Sequence, residues 1–95
     1  MSIKSVERQL RRTSEQIATL RAELALLDEQ WAQLSDEADT ARLNALVSET
    51  PISEATHHRA ARHADAIGQE RSHVAERLGE LECRQDALLD QMVRP

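Results

Sequence analysis

Residues 3–41 read IKSVERQLRRTSEQIATLRAELALLDEQWAQLSDEADTA, and this stretch decides the fold of the chain. Its apolar positions recur at alternating steps of three and four residues, a spacing that keeps one face of a helix against a partner helix in a coiled coil. We call this series the seam of helix 1. The seam consists of Ile3, Val6, Leu10, Thr13, Ile17, Leu20, Leu24, Leu27, Trp31, Leu34, Ala38 and Ala41.

The long helical pattern is interrupted at residues 48–53, which read SETPIS. Thr50 suits an N-cap, and Pro51 suits the first helical position, where its missing N–H costs nothing. A residue that precedes proline is also pushed out of helical geometry. We therefore expect helix 1 over about 2–47, a turn at about 48–50, and helix 2 over about 51–92. So short a connection predicts one all-α domain: an antiparallel two-helix coiled-coil hairpin.

Helix 2 carries a weaker seam of its own, interrupted by Arg71 and Gln85. The register that sets Ile17 against Leu81 also sets Thr13, the polar member of the first seam, against Gln85. The seam of helix 2 consists of His57, Ala60, Ala64, Ile67, Arg71, Val74, Leu78, Leu81, Gln85, Leu88 and Met92.

The charges at the two ends of helix 1 have the wrong sign for the helix dipole. Its start is basic and its end acidic, so we expect helix 2 to supply the opposite charges at both places. The basic residues are Lys4, Arg8, Arg11 and Arg12, and the acidic ones are Asp36, Glu37 and Asp39.

Two helices alone leave each seam half exposed, so we expect a homodimer in which two hairpins form a four-helix assembly. We expect Trp31 to be buried against Ile67, with the small Gly68 giving the indole room. Arg71 stands in the seam near Asp28, where a polar residue sets the register or receives a carboxylate from a partner. These residues form the predicted core anchor and self-association site. An exposed Trp31 would instead mark a partner-binding surface.

Four apolar residues gather around the turn: Leu43, Leu46, Val47 and Ile52. The favoured interpretation is a buried plug that closes the end of the hairpin. The alternative is an exposed apolar tip that binds a partner protein.

A basic cluster lies early in helix 2 and contains His58, Arg59, Arg62 and His63. Its histidines are not spaced four apart, as a helical metal pair requires, and its arginines repel a cation, so no metal site is expected. The cluster is expected to balance the acidic end of helix 1. The alternative is that it binds a phosphate-bearing nucleotide near the start of a helix.

The composition of the chain argues against several further classes of function. The chain has 95 residues, a net charge of −5, one Trp and no Phe or Tyr. An acidic chain is poorly suited to bind nucleic acid or an anionic membrane. The one cysteine, Cys83, excludes an internal disulfide framework and lies at an outward position with no neighbouring base, which predicts an unreactive thiol in the reducing cytoplasm.

The sequence thus predicts a non-enzymatic coiled-coil module, without a cofactor, that self-associates and binds another protein as an adaptor, regulator or scaffold. Its carboxylates are expected along the helices and not in a concave site, which argues against an enzyme. The alternative function is a small-ligand sensor that uses the basic cluster.

Overall fold

The computed structural model describes residues 2–93, and these form two long helices packed as a hairpin. Helix α1 spans Ile3–Ser48 and helix α2 spans Pro51–Val93. The observed bounds lie within one residue of the predicted ones. The prediction of an all-helical hairpin is confirmed.

Side-chain caps explain where the helices begin. The backbone N–H of Ser5 donates to Ser2 Oγ over 3.2 Å at the start of α1. At the start of α2 the N–H of Ser53 donates to Thr50 Oγ1 over 3.1 Å, and the N–H of Thr50 donates to Ser53 Oγ over 3.2 Å. This reciprocal pair is a capping box in which serine replaces the usual glutamate. The predicted N-cap at Thr50 is confirmed.

The turn itself is made by Glu49, whose φ of 53° lies in the left-handed region. Its N–H still donates to the carbonyl oxygen of Ala45 over 3.0 Å, so it closes the last turn of α1. A left-handed residue directly after a helix is the usual way to end it. The chain then passes through Thr50 into α2, so only two residues connect the helices.

The contacts of the chain fall into two compact units, and the first consists of residues 2–24 and 73–93 among those described. Its core holds the seam residues Val6, Thr13, Ile17, Val74, Leu78 and Leu88, all of them buried. Gln85 Nε2 donates to Ser14 Oγ over 3.0 Å. This contact agrees with the predicted register to within one residue, since Ser14 directly follows Thr13, the predicted neighbour of Gln85.

The second unit, residues 25–72, contains the turn and has a core built largely of alanine. Leu27, Ala41, Ala45 and Ala64 are its buried residues. Ala45 extends the seam of α1 by one step beyond the predicted series. Small side chains allow helix backbones to approach closely. The prediction that the whole chain forms a single domain stays a prediction.

The expected charge balance between the helices is not formed at either end of α1. Among residues 2–93 the ion pairs within 4.0 Å are Arg21–Glu82, Glu54–His58 and Asp28–Arg71. The basic start and the acidic end of α1 therefore have no ion-pair partner on α2 in this part of the chain. The reason is geometric: Arg8, Arg11 and Asp36 follow a heptad offset from the seam and are exposed.

Neither helix in the described range contains a stretch of the length and apolarity needed to cross a membrane.

Candidate functional site

The predicted anchor residues meet in the second unit, around the indole of Trp31. A Cβ atom placed on Gly68 would lie 2.9 Å from the indole Nε1 and 3.3 Å from Cδ1. The indole therefore occupies the space that a side chain at residue 68 would need, as predicted. Full burial of Trp31 is wrong, because its side chain is 41% exposed. One flank of the ring packs on α2 and the other faces outward.

Arg71 completes this anchor from the neighbouring turn of α2. Its guanidinium carbon lies 5.4 Å from the centroid of the Trp31 ring, within the range of a cation–π contact. Its Nε forms an ion pair with a carboxylate oxygen of Asp28, as the sequence predicted. Both partners stay partly exposed. Arg71 thus joins α1 to α2 through a charge and an aromatic face, while Ile67 beside it is half-buried.

The stripe of small residues on α2 is not open at its centre. Ala61, Gly68 and Ala75 form this stripe, whose small side chains suit the close approach of another helix, yet Gly68 is covered by Trp31 of the same chain. A second copy would have to displace the indole in order to pack there.

The apolar residues at the turn are exposed, so the expectation of a buried plug is wrong. Leu43, Leu46, Val47 and Ile52 are between 57% and 85% exposed. The physical reason is helical geometry: Ala41 and Ala45 take the inward positions of α1, which leaves Leu43 between them and Leu46 and Val47 after them in outward positions. We call these four residues the apolar tip.

A groove of about 570 Å³ lies near the tip in the second unit, and no pattern in the sequence predicts it. Asp36, Glu37, Thr40 and Asn44 line it from α1, and Ser53 and Thr56 line it from α2. The expectation that no carboxylate lies in a concave site is therefore wrong. The space arises where short side chains face each other across the helices. No histidine or cysteine of the described residues lines the groove.

The basic cluster of α2 is exposed and, among residues 2–93, forms no ion pair with the acidic end of α1. His58 Nε2 lies 3.9 Å from a carboxylate oxygen of Glu54 one turn earlier on the same helix. The ring of His58 also lies 5.4 Å from that of His57, measured between centroids. Arg59, Arg62 and His63 form no ion pair within residues 2–93. The cluster is therefore a solvated cationic surface.

Metal-binding and thiol chemistry find little support in the geometry. The part of the chain that the structure describes has no group of three or more potential metal ligands. Cys83 is exposed, as its outward heptad position indicated.

Comparison of the chain with protein-family models, with curated proteins and with solved structures gives no match.

Proposed function

We propose that this chain is a non-enzymatic coiled-coil interaction module that self-associates and binds a partner protein through its apolar tip. In that role it would act as an adaptor, regulator or scaffold. The observation that carries the proposal is the exposure of Leu43, Leu46, Val47 and Ile52. A reducing, cytoplasmic setting is part of the proposal, supported by the free thiol of Cys83.

The tip has the features of a protein-binding surface. Leu46 and Val47 follow Leu43 by three and four residues, so the three side chains share one face of α1. Ile52 stands in the first turn of α2, just past the capped turn. Clustered exposed apolar side chains commonly mark interaction sites, because covering them stabilises a complex by about 25 cal/mol per Å² of apolar surface. The capping box holds the tip in place before a partner arrives, which lowers the entropy lost on binding.

Self-association is supported by apolar surface outside the tip. Leu26 lies off the seam of α1 and is 61% exposed. Several seam residues remain only half-buried in the single chain, including Leu10, Leu20, Leu24 and Leu34. A second hairpin would cover more of this surface and add to the stability of a thin core.

The partner proposal is tested by capture from the native host, followed by binding measurements with the purified partner. The variant Leu46→Ser/Val47→Ser removes two apolar side chains from the tip. Leu89→Ser is the matched control, because it also replaces an exposed leucine with serine, at a position outside the tip and outside both seams. We expect the tip variant to lose binding and the control to keep it. Equal binding by both variants would contradict the proposal.

Self-association is tested by analytical ultracentrifugation at micromolar concentration. We expect twice the mass of one chain, and a melting temperature that rises with protein concentration because dimerisation is linked to folding. A folded species with the mass of one chain and a concentration-independent melt would contradict self-association. It would leave the tip proposal intact.

A second candidate function is a sensor for a phosphate-bearing nucleotide. It is favoured by one observation: Arg59 and Arg62 are exposed and form no ion pair in residues 2–93. Calorimetric titration with nucleotides tests it. Saturable binding that is lost in Arg59→Ala/Arg62→Ala would support the sensor, and the absence of any heat change would rule it out.

A further inference from the structure

We propose that the second copy packs antiparallel along the outward face of α1, with the basic start of one α1 beside the acidic end of the other. This inference rests on the self-association proposed above. It names the surface, the orientation and the register of the contact.

The outward face of α1 repeats the spacing of the seam with other residues. In the first unit this face carries Arg8 and Arg11, then Glu15, and then Ala18 and Ala22. In the second unit it carries Ala25, Glu29 and Ala32 and then Asp36 and Asp39. Successive members are three or four residues apart, as in a coiled-coil seam, and every one is exposed. The face begins with two arginines and ends with two aspartates, and the residues between them are alanines with Glu15 and Glu29.

The charged residues of this face lack partners within their own chain. Arg8, Arg11, Asp36 and Asp39 take part in none of the ion pairs formed among residues 2–93. α2 was expected to compensate them and does not. A second α1 running in the opposite direction presents acidic residues to the basic end and basic residues to the acidic end.

One register of the two helices pairs the opposite charges at both ends of the face. If Ala22 lies opposite Ala25 of the second copy, Arg8 lies opposite Asp39 and Arg11 lies opposite Asp36. Each copy has both ends, so the same charge pairs can form twice. A parallel arrangement would instead place Arg8 against Arg8 and Asp36 against Asp36, which is repulsive.

The middle of the face suits close packing of two helices. Ala18, Ala22 and Ala25 have no side-chain atoms beyond Cβ, so two backbones can approach to the short end of the usual interhelical distance of about 8–10 Å. Leu26 lies beside the alanines and is exposed, so it can pack on the second helix. The contact ends at Asp39 and leaves Leu46, Val47 and Ile52 of the apolar tip available to another protein.

The test uses two complementary variants of the full chain. Arg8→Asp/Arg11→Asp makes both ends of the face acidic, and Asp36→Arg/Asp39→Arg makes both ends basic. The four substituted residues are exposed and lie outside the buried seam, so folding should be retained, and circular dichroism verifies that it is. Sedimentation equilibrium then gives the dimer dissociation constant of each variant and of their equimolar mixture.

We expect each variant alone to dimerise about tenfold or more weakly than wild type, because several like charges meet across the contact. The mixture should recover the wild-type dissociation constant, because each variant supplies the charges that the other lacks. Arg59→Asp/Arg62→Asp is the control: it changes net charge by the same amount on α2 and should dimerise like wild type.

The possible outcomes distinguish a failure of this inference from a failure of the self-association proposal on which it rests. A wild-type dimer that both variants leave unchanged overturns the outward face as the contact and keeps self-association. Equal weakening by the control variant, or a mixture that fails to recover, also overturns this inference alone. A wild-type monomer overturns both.

Discussion

The indole of Trp31 lies so close to Gly68 that a Cβ atom on residue 68 would be 2.9 Å from the indole Nε1. Glycine within a helix is less favourable than alanine by about 1 kcal/mol. Trp31 gives this glycine a physical role, because the ring of α1 fills the place where its side chain would be. The second glycine of the chain, Gly79, has no atom within 4 Å of its equivalent Cβ position.

The two glycines should therefore respond differently to alanine. Gly79→Ala should raise the free energy of unfolding by about 1 kcal/mol, through helix propensity alone. Gly68→Ala should raise it less or lower it, since the new methyl group must displace the indole. In a Trp31→Ala background Gly68→Ala should recover a gain of about 1 kcal/mol. Urea unfolding of the variants at one fixed protein concentration measures this, and equal gains at both glycines in wild type would disprove the contact.

Trp31→Ala should destabilise the chain by about 1–2 kcal/mol, less than the ~3–5 kcal/mol typical of a fully buried tryptophan. The reason is that 41% of the side chain is exposed. Leu27→Ala, one turn earlier and buried, is the comparison and should cost about 2–5 kcal/mol. Denaturant unfolding gives both values. A larger loss at Trp31 than at Leu27 would mean that the indole is buried in solution, for example by a second copy.

The pair Arg71–Asp28 should couple by about 0.5–1 kcal/mol in a double-mutant cycle, the upper range for partly exposed ion pairs. Its hydrogen-bonded geometry and the aromatic ring beside Arg71 hold the charges in place. The control is Arg21–Glu82, whose charged atoms are 4.0 Å apart and more exposed. We expect weaker coupling there. Both couplings should fall in 1 M salt, and a salt-independent value for Arg71 would point to packing and not charge.

The helices and their register were predictable because the decisive signals are local or periodic. The spacing of the seam predicts which face of α1 is buried, and Thr50–Pro51 predicts where α2 begins. The approximate partners of α1 on α2 follow from matching the two seams, as the contact between Trp31 and Gly68 shows. These features depend on residue type and spacing alone.

The sequence could not predict how exposed each residue outside the seam is. The sequence predicts a plug that includes Leu46 and Val47, because apolar type does not distinguish an inward from an outward position near a turn. Ala45, directly before Leu46, and Ala41, one turn earlier, fill the inward positions instead. The groove lined by Asp36 and Ser53 was missed for a related reason, since empty space between short side chains leaves no pattern in the sequence.

The last prediction concerns Glu49, the non-glycine residue with positive φ in the described chain. A left-handed conformation costs a residue with a Cβ about 1–2 kcal/mol, and glycine avoids most of this cost. Glycine also gains freedom in the unfolded chain, which offsets about 0.5–1 kcal/mol of the benefit.

Glu49→Gly should therefore raise the free energy of unfolding by about 0.5–1 kcal/mol, the difference between these two effects. Glu76→Gly is the matched control, because Glu76 is exposed within α2 and has helical backbone geometry. The same substitution there should lower the free energy of unfolding by about 1 kcal/mol. Thermal and urea unfolding show whether each variant raises or lowers the free energy of unfolding. A destabilised Glu49→Gly would mean that residue 49 does not hold the left-handed turn in solution, and the two-residue connection between α1 and α2 would have to be revised.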